Sequence, residues 1–176
     1  MRNTRADVIA AALRVLDEHG LEFCSMRRVA SALGVQPSAL YHHVPDKQTL
    51  LALMADEIIR GVGGDDAAGL CRSLRSALLA VRDGADVVAT AAAFRLGASG
   101  LEQRLARLVG PDGASTLLFY TFGHAQSTQT RRQAERFGAL PGTDPDAVAA
   151  GSAPSQEADA SFERGLDIIL AGLGRR

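Results

Sequence analysis

Apolar residues recur at helical spacing through most of this chain, and short Gly-, Pro- or Asp-containing stretches punctuate them. Val8, Ile9, Ala12, Leu13 and Leu16 form the first stripe, with Thr4 placed to cap its start and His19-Gly20 to end it. Leu21 and Phe23 anchor a short link. Ser25 then caps a second run, Met26, Val29, Ala30 and Leu33, which stops at Gly34, where a positive φ is cheap only for glycine. Val35 plugs the corner, and Pro37 opens a third helix at the position that tolerates a missing N–H. Leu40 and Val44, four apart, face inward. The pattern predicts three helices closing around Ile9, Leu13, Leu16, Phe23, Val29, Leu33, Leu40 and Val44.

Asp46 caps a fourth helix carrying Leu50, Leu51, Leu53, Met54 and Ile58, which runs to about Arg60. The run from Gly61 to Asp66 breaks it. Helix resumes over 67–83 with Leu70, Leu74, Leu78 and Val81 on one face. A short helix over 101–109 is stopped by Gly110-Pro111, and a long one follows from Asp112 to about Phe137. Residues 139–156, rich in Pro, Gly, Ser, Asp and Ala, read as a loop. An amphipathic helix over 158–173 closes the chain with Phe162, Leu166, Ile169, Leu170 and Leu173. The expected fold is all-α, with a three-helix domain over 1–46, a connecting helix over 47–62 and a helical domain over 63–176.

The third helix has an unusual surface for one that only supports a fold. Gln36, Pro37, Ser38, Ala39, Tyr41, His42 and His43 are small, polar or aromatic, and no acid occurs between Ser25 and Asp46. A helix entering the major groove needs such a surface, since a carboxylate would meet phosphates while short side chains let the backbone approach base edges. His42 and His43 point about 100° apart and do not converge on a metal as an i,i+4 pair would. Tyr41 also fits a simple packing role. Lys47 is the only lysine in the chain.

Charge qualifies this picture. The chain of 176 residues carries a net −1, and residues 1–47 hold six bases against five acids. Distribution counts for more than the sum, because Arg27, Arg28 and Lys47 bracket the third helix while Asp17, Glu18 and Glu22 lie at the far end of the first. Dimer-dependent, salt-sensitive DNA binding is the expectation. There is no apolar leader and no membrane-length run, so a cytoplasmic protein is expected. Cys24 and Cys71 read as reduced and buried.

The run Gly34-Val35-Gln36-Pro37-Ser38-Ala39-Leu40-Tyr41-His42-His43-Val44, followed by Lys47, resembles the helix-turn-helix of TetR-type transcriptional repressors. The resemblance implies that Arg27, Gln36, Pro37, Ser38, Ala39 and His42 reach base edges, while Tyr41, His43 and Lys47 hold phosphates. It also implies a homodimer formed through 112–137 and 158–173, binding a near-palindromic double-stranded operator and released by a small-molecule effector. The segment LRSALLAVRDGADVV resembles the tetracycline-repressor subgroup. However, Val88, Ala91 and Ala92 stand where that subgroup keeps its metal-binding histidine and drug contacts, and Thr130 falls near its acidic metal-linked position. No metal or cofactor is therefore implied, and a more apolar ligand is.

Leu74, Leu78, Val88, Phe94, Leu101, Phe119 and His124 are the expected pocket walls, although stripes of Leu and Phe need no ligand to explain them. A closed pocket of about 300 Å³ or more would separate an effector-responsive protein from an effector-independent regulator or activator. An enzyme using His124, Tyr120 or Cys71 is the remaining alternative, and no set of nucleophile, base and orienting group supports it.

Overall fold

The computed structural model describes residues 3–97, 99–136 and 153–174. Among these every regular element is a helix: α1 (Arg5–His19), α2 (Met26–Ala32), α3 (Pro37–Tyr41), α4 (Lys47–Ile58), α5 (Ala67–Ala80), α6 (Gly84–Ala93), α7 (Ser99–Arg136) and α8 (Ala153–Leu173). None of them is long and apolar enough to cross a membrane.

Local chemistry sets most of the ends. Thr4 and Asp7 form a reciprocal capping box at α1, and Gly20 closes that helix at φ 81°. Ser25, Asp46 and Asp66 each accept a backbone N–H at the start of α2, α4 and α5, a contribution of about 1 kcal/mol apiece. Gly34 adopts φ 67° between α2 and α3, and Pro37 is in the first turn of α3. Gly110, at φ 77°, interrupts α7 immediately before Pro111, so its arms 99–109 and 111–136 are two helices joined at a kink.

One continuous core runs from Val8 in α1 to Leu166 in α8. α4 packs against both α1 and α6, and α7 packs against α5, α6 and α8.

The core differs from the sequence expectation in the first domain. The buried face of α1 is Val8, Ala11, Ala12, Val15 and Leu16, while Ile9 and Leu13 are only partly covered. Phe23 is 55 % exposed, with the Arg28 guanidinium 5.6 Å from its ring centre, and it is the neighbouring Cys24 that enters the core. The cation over its ring face gives Phe23 a partial partner at the surface. α5 ends at Ala80 rather than 83, and α8 begins at Ala153 rather than 158. The rest of the expected loop, 139–152, and Phe137 lie outside the described residues.

Candidate nucleic-acid interface and regulatory cavity

The turn at Gly34 swings α3 across α2, and Leu40 and Val44, both fully buried, fix its inner side. That leaves Gln36, Ser38, Ala39, Tyr41 and His42 exposed, with Pro37 and His43 half-buried beside them. Arg27 on α2 and Lys47 at the first position of α4 are both exposed and flank this surface. Asp46, the one carboxylate nearby, is turned to α4. It accepts the Thr49 N–H at 2.6 Å, and that bond holds its carboxyl below the usual range. The outer face thus presents cations, imidazoles, a phenol and an amide, with no acid in the sequence from Ser25 to Pro45, a combination suited to phosphates and base edges.

Among the described residues, two attachments between this three-helix head and the rest stand out. α4 leads out of it covalently and packs on α6. The second is at the α5–α6 turn, where the Arg82 guanidinium donates to the carbonyls of Asp17 (2.9 Å) and Glu18 (3.1 Å). Asp83, in the left-handed region at φ 54°, accepts the Leu21 N–H on one oxygen and the Gln133 amide on the other. Gln129, one turn earlier on α7, is buried, donates to the carbonyls of Leu78 and Val81, and accepts the Ala85 N–H. α7 therefore grips the turn that grips α1.

The expected pocket walls do not gather around one space. Leu74, Leu78 and Val88 are fully buried and Leu101 nearly so, all within the common core, whereas Phe94 (59 % exposed) and Phe119 (75 %) face outward. A cavity of about 320 Å³ lies between the distal half of α7 and α8. Of the expected walls it takes only His124, together with Thr128, Arg131 and Arg132 from α7 and Glu157 and Ser161 from α8. It is more polar than the sequence suggested.

His124 also touches Arg75, whose Nε donates to its Nδ1 at 3.3 Å, and Thr128, and its ring meets Phe162 edge-on at 5.2 Å. Burial first, then the Arg75 charge, hold its imidazole below the usual value, with Asp159 pulling the other way. Burial likewise pushes the Cys24 and Cys71 thiols up, which keeps them poor nucleophiles. Arg75 escaped the sequence reading, though a signal for it existed. It occupies one of the helical positions 67, 70, 71, 74, 75 and 78 that α5 buries.

Residues 8–54 match the model of bacterial regulatory proteins of the tetR family. The class A tetracycline repressor protein from transposon 1721 of Escherichia coli is 33 % identical over 96 % of this chain and 89 % of its own length. Among solved structures, Mycobacterium smegmatis BioQ superposes with a TM-score of 0.85 at 32 % identity, covering 97 % of each chain. BioQ with its natural double-stranded DNA operator superposes at 0.78 and 29 % identity, over 99 % of each chain.

Proposed function

Because this chain belongs to the tetR family of bacterial regulatory proteins, we propose that it is a homodimeric transcriptional repressor, released from a near-palindromic operator by a small-molecule effector. The observation that carries the reading is the exposed, carboxylate-free face of α3 with Arg27 and Lys47 on its flanks. In this reading Arg27, Gln36, Pro37, Ser38, Ala39 and His42 meet base edges, and Tyr41, His43 and Lys47 meet phosphates. Residues 1–46 act as the reading head, 47–62 as its connection and 63–176 as the regulatory and dimerising part.

Phe119 on α7 and Ile168 on α8 are about three-quarters exposed, and such large apolar side chains on adjacent helices suit a two-fold contact with a second copy. Two heads on one axis would read half-sites about 34–36 Å apart, or somewhat more. The cavity between α7 and α8 falls at the lower end of the range for small-molecule sites, about 300–1,000 Å³. A ligand there would act only through unequal affinity for the binding and released conformations. Such a regulator works where the DNA is, in the cytoplasm, and the reading gives it no catalytic role. Of the groups an enzyme would use, the Cys71 thiol is buried and the Tyr120 hydroxyl donates to the Phe162 carbonyl.

One observation favours a second reading, an effector-independent regulator or activator: Leu74, Leu78 and Val88 are sealed in the core.

The test is selection of binding sites from random duplex DNA with the purified protein, repeated with His42→Ala and Lys47→Ala. The expected product is an inverted repeat. His42→Ala should relax one position per half-site at a cost of about 1–3 kcal/mol, while Lys47→Ala should weaken all sites alike and reduce the salt slope by about 1. Failure to enrich any sequence at low salt overturns the reading.

A further inference from the structure

Arg75 is 8 % exposed and lies where α5, α7 and α8 meet. Its plane is fixed on three sides. Nε donates to His124 Nδ1 at 3.3 Å, Nη1 donates to Asp159 Oδ1 at 2.7 Å, and the Phe162 ring centre is 4.9 Å from its central carbon. Nη2 is buried and finds no partner among the described residues. A buried N–H left unbonded is unfavourable, the more so on a charged group, so this arrangement is incomplete as it stands.

The incompleteness has a direction. Guanidinium and carboxylate prefer two parallel bonds, and Asp159 supplies one oxygen to an edge that offers two nitrogens. Its side chain is 61 % exposed while Arg75's is 9 %, so the acid is the removable partner and the base the fixed one. The cavity of about 320 Å³ adjoins this pair: its wall includes His124, which accepts from Arg75, and Ala158 and Ser161, which flank Asp159 in the sequence of α8.

We propose that the Nη1–Nη2 edge of Arg75 is a carboxylate-binding site: a small monocarboxylate entering the cavity displaces Asp159 and takes both nitrogens. The charges around the cavity select this class. Glu135 and Glu157, which line it, are already paired with Arg131 at 3.0 Å and Arg164 at 2.7 Å. They need no cation from the ligand, and they repel a dianion more than a monoanion. Arg132, on the cavity wall, makes no ion pair among the described residues and adds positive charge to the cavity. The regulatory meaning rests on the effector-release reading above, because displacing Asp159 removes an ion pair tethering α8 to α5.

The experiment is calorimetric titration of the full chain with hexanoate and benzoate, each beside its uncharged amide, for the wild type, Asp159→Asn and Arg75→Lys. The acids should bind saturably and the amides roughly tenfold more weakly or worse. Asp159→Asn should tighten binding of the acids by roughly tenfold, because the internal competitor is gone. A merely structural Asp159 predicts no such gain. Arg75→Lys should erase the preference for acid over amide, since an ammonium cannot offer the two-nitrogen edge. If Arg75→Lys does not fold, the Asp159→Asn result decides alone.

Equal binding of acid and amide, no binding of either acid, or weaker binding by Asp159→Asn would each overturn the site. Operator occupancy measured alongside separates the two ideas. Acids that bind with the Asp159→Asn gain but leave the operator occupied uphold the site and overturn effector release through it. Release by the amides alone overturns the site and upholds effector release by another route.

Discussion

The carboxylate of Asp83 accepts the backbone N–H of Leu21 at 2.8 Å, joining the α5–α6 turn to the link that follows α1. The same carboxylate holds Gln133 of α7 at 2.7 Å, so a single side chain touches the reading head and the long helix together. Asp83→Ala should leave the Leu21 N–H unpaired and place alanine at φ 54°. The expected destabilisation is about 2–4 kcal/mol, summing an unsatisfied donor and a left-handed alanine. Asp83→Asn, which keeps an acceptor and tolerates the conformation, should lose less than half as much. Urea denaturation of the three proteins checks this, and equal losses for the two variants would show that the contact to Leu21 carries no weight.

Gly34 has φ 67° and open space where a Cβ would project. Gly34→Ala therefore tests backbone conformation free of collision. It should cost about 1–2 kcal/mol, read as a lower melting temperature, and should weaken operator binding because α3 is set by this turn. An unchanged melting temperature would mean the turn relaxes without strain.

Gly165 is the opposite case. Its φ is ordinary, but a Cβ there would collide with the Tyr120 hydroxyl, which donates to the Phe162 carbonyl at 2.9 Å. The Tyr120 ring cannot simply swing away, since it stacks on Phe162 with centres 5.4 Å apart. Gly165→Ala should destabilise by about 1–3 kcal/mol. Gly165→Ala combined with Tyr120→Phe should recover part of that loss in thermal unfolding, because the colliding oxygen is gone.

His124 sets a pH dependence whose sign follows from its neighbours. Burial and Arg75 on α5 lower its folded pKa, and Asp159 on α8 only partly offsets them. The unfolded chain, with a histidine near pKa 6.5, then binds the proton more readily than the folded one. The stability due to neutral His124 is present in full above pH 6.5 and is lost as pH falls through the folded value. His124→Gln should flatten the part of the stability profile that lies below about pH 6.5, while the slope due to carboxylates at lower pH remains. A profile unchanged by the substitution would remove His124 as its source.

The reading head was legible because each of its features is local. A cap, a glycine at positive φ, a proline in a first turn and two buried residues four apart define α2, α3 and the start of α4 within a few residues of sequence. Phe23 was misread because apolar character alone does not say whether an arginine will cover a ring at the surface. The cavity was misplaced for a related reason. Phe94 and Phe119 were given to a pocket by type, yet helical phase turns Phe119 away from the buried face of Leu117, Leu118 and Phe122. Arg75, Gln129 and Asp83 have partners 44–84 positions away, and no short pattern announces such pairings. Arg75 and Gln129 still left a trace, as polar residues in otherwise apolar stripes.

The two attachments of the head also limit how it can move. A body pinned at one point can turn in any direction, but one held at two separated points keeps a single rotation, about the line between them. Here the line runs from the α4–α6 packing to the Arg82 and Asp83 bonds on the end of α1. In the proposed repressor, a rearrangement farther along α7 would reach α3 as a swing about that line.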